Sequence, residues 1–144
     1  EAQPVADTMA YMAHEAEVLG RPLEPPCVML CGGELLVTVG DATGVGGRSQ
    51  EFCLAAAARI AGSGNIVIAS ADSDGSDGPS DAAGGIVDGQ TMARAQAAGI
   101  DVAAELANHN SNPALKALGD TIRTGIRPTN VRDLRVVYVG GRRD

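Results

Sequence analysis

The sequence predicts an α/β fold, a single layered domain in which a mixed, partly parallel sheet is flanked by helices. Apolar runs of strand length alternate along the chain with segments whose apolar residues recur at helical spacing. The 144 residues are enough for one domain with a sizeable core. Because only 2% of the residues are aromatic, this core has to consist of closely packed Val, Ile, Leu and Ala.

The first part of the chain is expected to stand apart from the sheet. Residues 1–26 are predicted to form an N-terminal helix and a Pro-rich linker, and residues 27–144 the α/β domain. Apolar residues form one stripe of a helix over residues 4–19, which Gly20 ends. Three prolines follow and favour an extended linker.

The remaining elements follow from the same patterns. Short apolar runs predict strands over residues 28–31, 35–39, 66–71 and 134–139. Helical spacing and capping residues predict helices over residues 48–61, 91–98, 102–106 and 113–118. Residues 82–87 are expected to continue the close packing of the predicted strand over residues 66–71.

Charge and composition exclude several classes of function. The net charge of −7 argues against nucleic-acid binding and against an anionic membrane surface. No apolar run approaches the roughly 20 residues that a membrane-spanning helix needs, and no signal-peptide pattern occurs. The three cysteines lack the spacing of a metal site, which favours buried free thiols in a reducing cytoplasm.

The most informative stretch is an acidic loop, residues 72–81, which holds four aspartates directly after a predicted buried strand. Such a cluster persists when a cation, hydrogen-bond donors or water offsets the repulsion between carboxylates. An EF-hand is not expected, because Asp77 stands where that motif needs Gly and no Glu occupies its twelfth position. A Mg²⁺ site and a cluster of Asp turns that cap backbone N–H groups both remain open, and Asp81 is expected to be a structural cap.

A Gly-rich loop, residues 40–47, leads into the helix that begins at Arg48. Free N–H groups at a helix start favour an anion, and the Arg48 guanidinium suits phosphate or carboxylate. The loop lacks the Gly-Lys-Ser/Thr ending of a P-loop and the spacing of a dinucleotide fingerprint. The alternative is a flexible hairpin before an ordinary helix.

A third polar segment precedes the last predicted strand. Thr129 and Asn130 can bind a ligand hydroxyl or merely brace their loop. The two histidines, His14 and His109, have no evident Ser or Cys partner, so a hydrolase triad is not supported. Both histidines are expected at the surface.

Three motifs occur in a fixed order: GGRSQE at residues 46–51, DGSDGPSDAAG at 74–84 and TNVRDLR at 129–135. In this order and spacing they resemble the MOFRL domain, the C-terminal lobe of type II glycerate kinases. This is the glycerate 2-kinase family, which older naming calls hydroxypyruvate reductase. The CGGE sequence at residues 31–34 matches as well, and the resemblance covers residues 29–139.

The resemblance implies a two-lobed cytoplasmic enzyme that uses ATP and Mg²⁺ to phosphorylate the 2-hydroxyl of D-glycerate, a small sugar acid. The partner of this chain would be the missing N-terminal lobe, and a homodimer is compatible with the sequence. Arg48 would be the catalytic cation. The residues implied to bind substrate or line the cleft are Gly46, Gly47, Asp74, Asp77, Thr129 and Asn130, and the implied metal ligands are Asp74 and Asp77.

Some positions depart from the family pattern. Ser49 and Arg132 replace the usual Asn, and residues 125–128 read GIRP where the family has Gly-Pro-Thr-Gly. The ligand role of that loop and the substrate are therefore open. The family's catalytic lysine lies in the other lobe and Lys116 does not replace it, so the isolated chain is not expected to be a competent kinase. The alternatives are an NAD(P)H-dependent hydroxypyruvate reductase and a non-catalytic binding module.

Overall fold

A computed structural model describes residues 1–141 of the chain. Strands and helices alternate through most of this range, as the sequence predicts. In chain order the elements are α1 (Ala2–Leu19), β1 (Cys27–Cys31), α2 (Arg48–Arg59), β2 (Ile66–Asp72), β3 (Gly84–Asp88), α3 (Thr91–Ala97), α4 (Val102–Ala107), α5 (Ser111–Leu118), β4 (Thr121–Ile122) and β5 (Asp133–Val139).

The five strands form one sheet in the order β1-β5-β2-β3-β4. Every hydrogen-bonded neighbour pair in this sheet is antiparallel, so the predicted partly parallel sheet is wrong. The strands β1 and β2 do run in the same direction and are joined through a helix, which is the connection that parallel strands use. They are not neighbours, because β5 inserts between them from the far end of the chain and pairs with both.

The helices cover one face of the sheet. Strand β2 alternates strictly, with Ile66, Ile68, Ser70 and Asp72 buried and the residues between them partly exposed. Helix α2 is the centre of the helical layer, and its Phe52 and Leu54 are fully buried. The small side chains of α1 let it pack closely on α2; the buried alanines of α1 are Ala2, Ala6, Ala10, Ala13 and Ala16. The interface between α1 and α2 therefore contains many of the alanines that were expected in the core.

The opposite face of the sheet is apolar and carries exposed side chains. Leu30 of β1 and Leu134 of β5 are exposed, as is Ile86 of β3, which lies opposite Ala69. The three cysteines are free thiols, and Cys31 is exposed rather than buried as expected. None of the helices among residues 1–141 is long and apolar enough to cross a lipid bilayer.

Some expected elements differ from those observed. Residues 35–39 are not a strand, because no strand in the described part of the chain pairs with them. Residues 82–87 contribute most of a complete strand, β3, and the two-residue strand β4 was not predicted. Asp101 caps α4 as expected, since its Oδ1 accepts the Ala104 N–H at 3.1 Å.

Candidate functional site

Three elements meet at one edge of the sheet. The last residue of β2, Asp72, lies opposite the first residue of β5, Asp133, in the antiparallel register. Helix α2 begins beside this pair with Arg48. The acidic loop leaves β2 at the same edge, so the antiparallel sheet still brings the loop and Arg48 together.

The Arg48 guanidinium is held by carboxylates on two sides. Its Nε donates to Asp133 Oδ1 at 2.8 Å, and its Nη2 lies 2.9 Å from Asp72 Oδ2 and 3.7 Å from Glu34 Oε1. Burial disfavours the charged form of Arg48, but the attraction of Asp133 and Asp72 is stronger than this effect and raises the pKa of Arg48. The Nη1 group has no partner among residues 1–141, and the side chain is 27% exposed. One end of a permanently charged fork therefore stays available to an anion.

Asp72 and Asp133 share the single guanidinium. Asp133 is fixed by further donors, since its Oδ2 accepts from the Leu35 N–H at 3.0 Å and from Arg135 Nη1 at 3.3 Å. Asp72 accepts from Ser49 Oγ at 2.9 Å. Burial and the neighbouring Asp133 carboxyl raise the pKa of Asp72 to about 7. Near neutral pH the Asp72 carboxyl is consequently protonated part of the time.

Asp77 caps helix α2 from the acidic loop. Its carboxylate accepts the Ser49 N–H at 3.1 Å and the Gln50 N–H at 2.8 Å, and the Gln50 side-chain amide donates to it at 2.9 Å. The side chain is fully buried, and burial raises the pKa of Asp77 despite these donors. The structural cap was expected at Asp81, which is instead exposed and pairs with Arg123 at 3.0 Å.

The Gly-rich loop is fastened along its length and is not a flexible hairpin. The Gly44 N–H donates to the Asn108 carbonyl at 3.1 Å, and the Val45 N–H donates to Asn110 Oδ1 at 2.9 Å. A Cβ at Gly46 would overlap Ser111, and one at Gly47 would overlap Asp77. Glycine is therefore required at both positions for close approach of backbone segments.

Asn130 braces its loop against the acidic loop. Its Nδ2 donates to Asp74 Oδ2 at 3.0 Å, and its Oδ1 accepts the Arg132 N–H at 3.0 Å. Asp74 also accepts the Ser76 N–H at 3.0 Å. Thr129 is exposed, and its hydroxyl has no partner within the part of the chain that the structure describes.

A cavity of about 670 Å³ opens beside the guanidinium. Its walls are the segment from Glu34 to Val39, the end of the Gly-rich loop and the Gly78–Pro79 turn. Of the residues predicted for the site, Arg48, Gly46 and Gly47 line this cavity together. The structure does not bring the other four predicted residues into its wall; these are Asp74, Asp77, Thr129 and Asn130.

Sequence reasoning missed several residues that face the cavity. Glu34 lies between two arginines, 3.7 Å from Arg48 and 3.6 Å from Arg132. Glu34 belongs to the CGGE motif at residues 31–34, and this motif could have identified it as a candidate site residue. His109 was expected at the surface, but its Nδ1 lies 2.8 Å and 3.0 Å from the two oxygens of the buried Glu51. The two residues are 58 positions apart in the sequence, so no local pattern indicated this contact.

The chain was compared with known families and proteins. Residues 27–133 match the MOFRL family. The chain belongs to the MOFRL family. This MOFRL chain is 41% identical over 143 residues to the glycerate 2-kinase of Pyrococcus horikoshii, covering 99% of the chain and 32% of that protein. It is 42% identical over 134 residues to the D-glycerate 2-kinase of Thermotoga maritima, covering 93% of the chain and 32% of that protein.

Solved structures share the fold. The crystal structure of the Thermotoga maritima glycerate kinase matches with a TM-score of 0.94 and 41% identity, over 96% of the MOFRL chain and 33% of the kinase. Two similar proteins of Agrobacterium vitis carry hydroxypyruvate reductase in their names. The MOFRL chain thus spans about a third of the length of these relatives.

Proposed function

We propose that this chain is the C-terminal lobe of a cytoplasmic glycerate 2-kinase, which transfers phosphate from ATP to the 2-hydroxyl of D-glycerate. The observation that carries the proposal is the Arg48 guanidinium, held by buried carboxylates with Nη1 unpartnered beside a cavity. The names and 41–42% identity of the Pyrococcus and Thermotoga relatives support the reaction class.

In this proposal Arg48 contacts the phosphoryl group or the substrate carboxylate. A planar cation fits either anion, and in phosphoryl transfer it stabilises the charge that develops on the moving group. Asp72 and Asp133 act through Arg48 by fixing its orientation. Arg132 adds a second cation at the cavity wall, held near Glu34.

ATP and Mg²⁺ belong to this proposal as cofactors. Magnesium is bound through one or two carboxylates together with phosphate oxygens, and it neutralises phosphate charge when bound. Asp74 fits such a contact, because its carboxylate is only partly buried and accepts two hydrogen bonds at the surface of the acidic loop. Among residues 1–141 there is no group of three or more His, Cys, Asp or Glu side chains arranged around a common metal position. We therefore propose that at most one carboxylate of this chain, that of Asp74, contacts Mg²⁺. Asp77 instead serves as the cap of α2.

The rest of the reaction centre has to come from elsewhere in a longer protein. The only lysine of the sequence, Lys116, is exposed on α5, and the chain spans about a third of its relatives. We expect the 144-residue chain by itself to show no transfer of phosphate to glycerate.

The test uses the gene product that contains these 144 residues. ATP-dependent phosphorylation of D-glycerate is followed by phosphorus NMR, which distinguishes the 2-phosphate from the 3-phosphate. We expect Arg48→Gln to lower kcat/KM at least about 100-fold, the cost of removing one transition-state contact. The matched control is Arg21→Gln, which removes an exposed arginine that pairs with Glu15 and should stay within about twofold of the wild type.

Three outcomes would contradict the proposal. Consumption of NADH or NADPH with hydroxypyruvate, without any ATP-dependent reaction, would establish the reductase. Equal turnover of the Arg48→Gln variant and the wild type would remove Arg48 from the reaction. Tight binding of a small ligand by a gene product that turns over neither substrate would instead favour a binding module.

A further inference from the structure

Residues 35–39, called segment 35–39 from here on, form one wall of the cavity without belonging to the sheet. The segment reads LLVTV, a composition typical of strands. Leu35 and Val37 are half-buried and pack against the core, whereas Leu36 and Thr38 are exposed. Over residues 35–38 this alternation has the period of two of a strand with one buried face, and Val39 at the end of the segment is exposed.

The backbone hydrogen bonds show the same alternation. The Leu36 carbonyl accepts from the Ala2 N–H at 3.0 Å, and the Thr38 N–H donates to the Glu1 carboxylate at 3.2 Å. These two groups face the start of α1. The Leu35 N–H points to the other side, where it donates to Asp133 at 3.0 Å.

On the side of Asp133 a row of backbone groups has no partner. Within residues 1–141, nothing bonds to the Val37 N–H, the Val37 carbonyl, the Leu35 carbonyl or the Val39 N–H. Successive residues of an extended chain point to opposite sides, so these groups of Leu35, Val37 and Val39 lie in one row. Such a row is the template onto which another strand adds.

We propose that a β-strand from the part of a longer protein outside these 144 residues adds to segment 35–39 along Val37. The inference rests on the proposed function, because it takes its strand from the other lobe of the kinase. The solved relatives contain this fold within chains about three times as long. A protein of that length would contain the additional polypeptide from which such a strand could come. Strand addition would satisfy the four backbone groups and cover the exposed side chains of Leu36 and Val39.

A peptide strand accounts for more of the segment than a small ligand does. A ligand would need to meet four backbone groups spread over five residues and also cover two large apolar side chains. A strand does both with its main chain and its alternating side chains. It would also bring the other lobe to the wall that Glu34 and Arg48 share.

The test is amide hydrogen exchange, measured on the 144-residue chain and on the gene product that contains it. We expect the Val37 and Val39 amides to exchange at least about tenfold more slowly in the gene product. Equal exchange rates in the two proteins would overturn the inference. Slower exchange that appears only after ATP is added would overturn it in favour of a small ligand in the cavity.

A pair of proline variants provides the second measurement. Val37→Pro removes an N–H that the added strand needs, whereas Leu36→Pro removes one on the opposite side of the segment. We expect Val37→Pro to lower the melting temperature of the gene product by at least about 4 °C more than Leu36→Pro does, with no such difference in the 144-residue chain. Equal effects of both variants in the gene product would contradict the inference.

The kinase assay on the same gene product separates the two proposals. Slow exchange of the Val37 amide in a protein that does not phosphorylate glycerate would contradict the proposed function alone. Phosphorylation of glycerate by a protein whose Val37 amide exchanges as fast as in the 144-residue chain would contradict the strand addition alone.

Discussion

At the scale of single residues, one guanidinium organises the site. Arg48 joins Asp72, at the end of β2, to Asp133, at the start of β5. Burial and the neighbouring Asp133 carboxyl raise the pKa of Asp72, although the Arg48 guanidinium lies 2.9 Å from its carboxylate. The orientation of Arg48 and the protonation of Asp72 are thus linked.

This linkage predicts a pH-dependent stability. The folded protein holds the Asp72 proton more tightly than the unfolded chain does, because the pKa rises from about 3.9 in the unfolded state to about 7 in the fold. The stabilisation is complete below the unfolded pKa and disappears as the pH rises through about 7. Between about pH 5 and about pH 8, the wild type should lose about 2 kcal/mol of unfolding free energy relative to Asp72→Asn. Urea unfolding at both pH values measures this, and parallel curves for the two proteins would refute it.

A second prediction concerns the cap of α2. Asp77→Ala removes the acceptor of two backbone N–H groups and of the Gln50 amide, all of them buried. The lost cap and the unsatisfied amide should together lower the unfolding free energy by about 3 kcal/mol. Asp81→Ala, in the same loop but exposed, should change it by less than about 0.5 kcal/mol. Urea unfolding compares the two, and equal losses would show that Asp77 is not the cap.

At the scale of elements, the pairing of β2 with β3 depends on a glycine. A Cβ at Gly84 would overlap the Ser70 carbonyl and the Ala71 Cα of the neighbouring strand. We expect Gly84→Ala to cost about 3 kcal/mol or more, because the strands would have to separate. The control is Gly64→Ala, where a Cβ meets nothing within 4 Å. Thermal unfolding of both variants tests this, and a Gly84→Ala protein as stable as Gly64→Ala would contradict the close approach.

Most elements could be predicted because their signals are local. The apolar spacing of α2 and the continuous run of β2 each lie within a few residues of sequence. The strand order could not be predicted, because the insertion of β5 between β1 and β2 joins segments about a hundred residues apart. Segment 35–39 has the local pattern of a strand, but no strand among residues 1–141 pairs with it. Pairing with another strand is a property that composition does not encode.

The site was predictable to the extent that its residues lie in motifs. Arg48 and the two glycines before it were found through the GGRSQE sequence, and they do line the cavity. The role of Asp77 was not predictable, because a cap supplied from another segment has no fixed sequence spacing. The contact of His109 with Glu51 is long-range in the same way.

At the scale of the whole molecule, the sheet has one buried face and one exposed face. This predicts different costs for the same substitution on neighbouring strands. Ile68→Ala opens a cavity in the core and should cost about 3 kcal/mol, since Ile68 is fully buried. Ile86→Ala should cost less than about 1 kcal/mol, since Ile86 is 43% exposed on the other face. Urea unfolding distinguishes them, and similar losses would mean that both faces are covered in solution.

The cap of α2 by Asp77 has a mechanical consequence. It ties the acidic loop to the helix that begins with Arg48, while Asn108 and Asn110 tie the preceding Gly-rich loop to the turn between α4 and α5. We therefore expect these segments to move together as one rigid unit, in which Arg48 keeps its position relative to the carboxylates around it. If the proposed function holds, a motion that encloses the substrate would be a rotation of this unit about a hinge outside these 144 residues, as in enzymes that close by domain rotation.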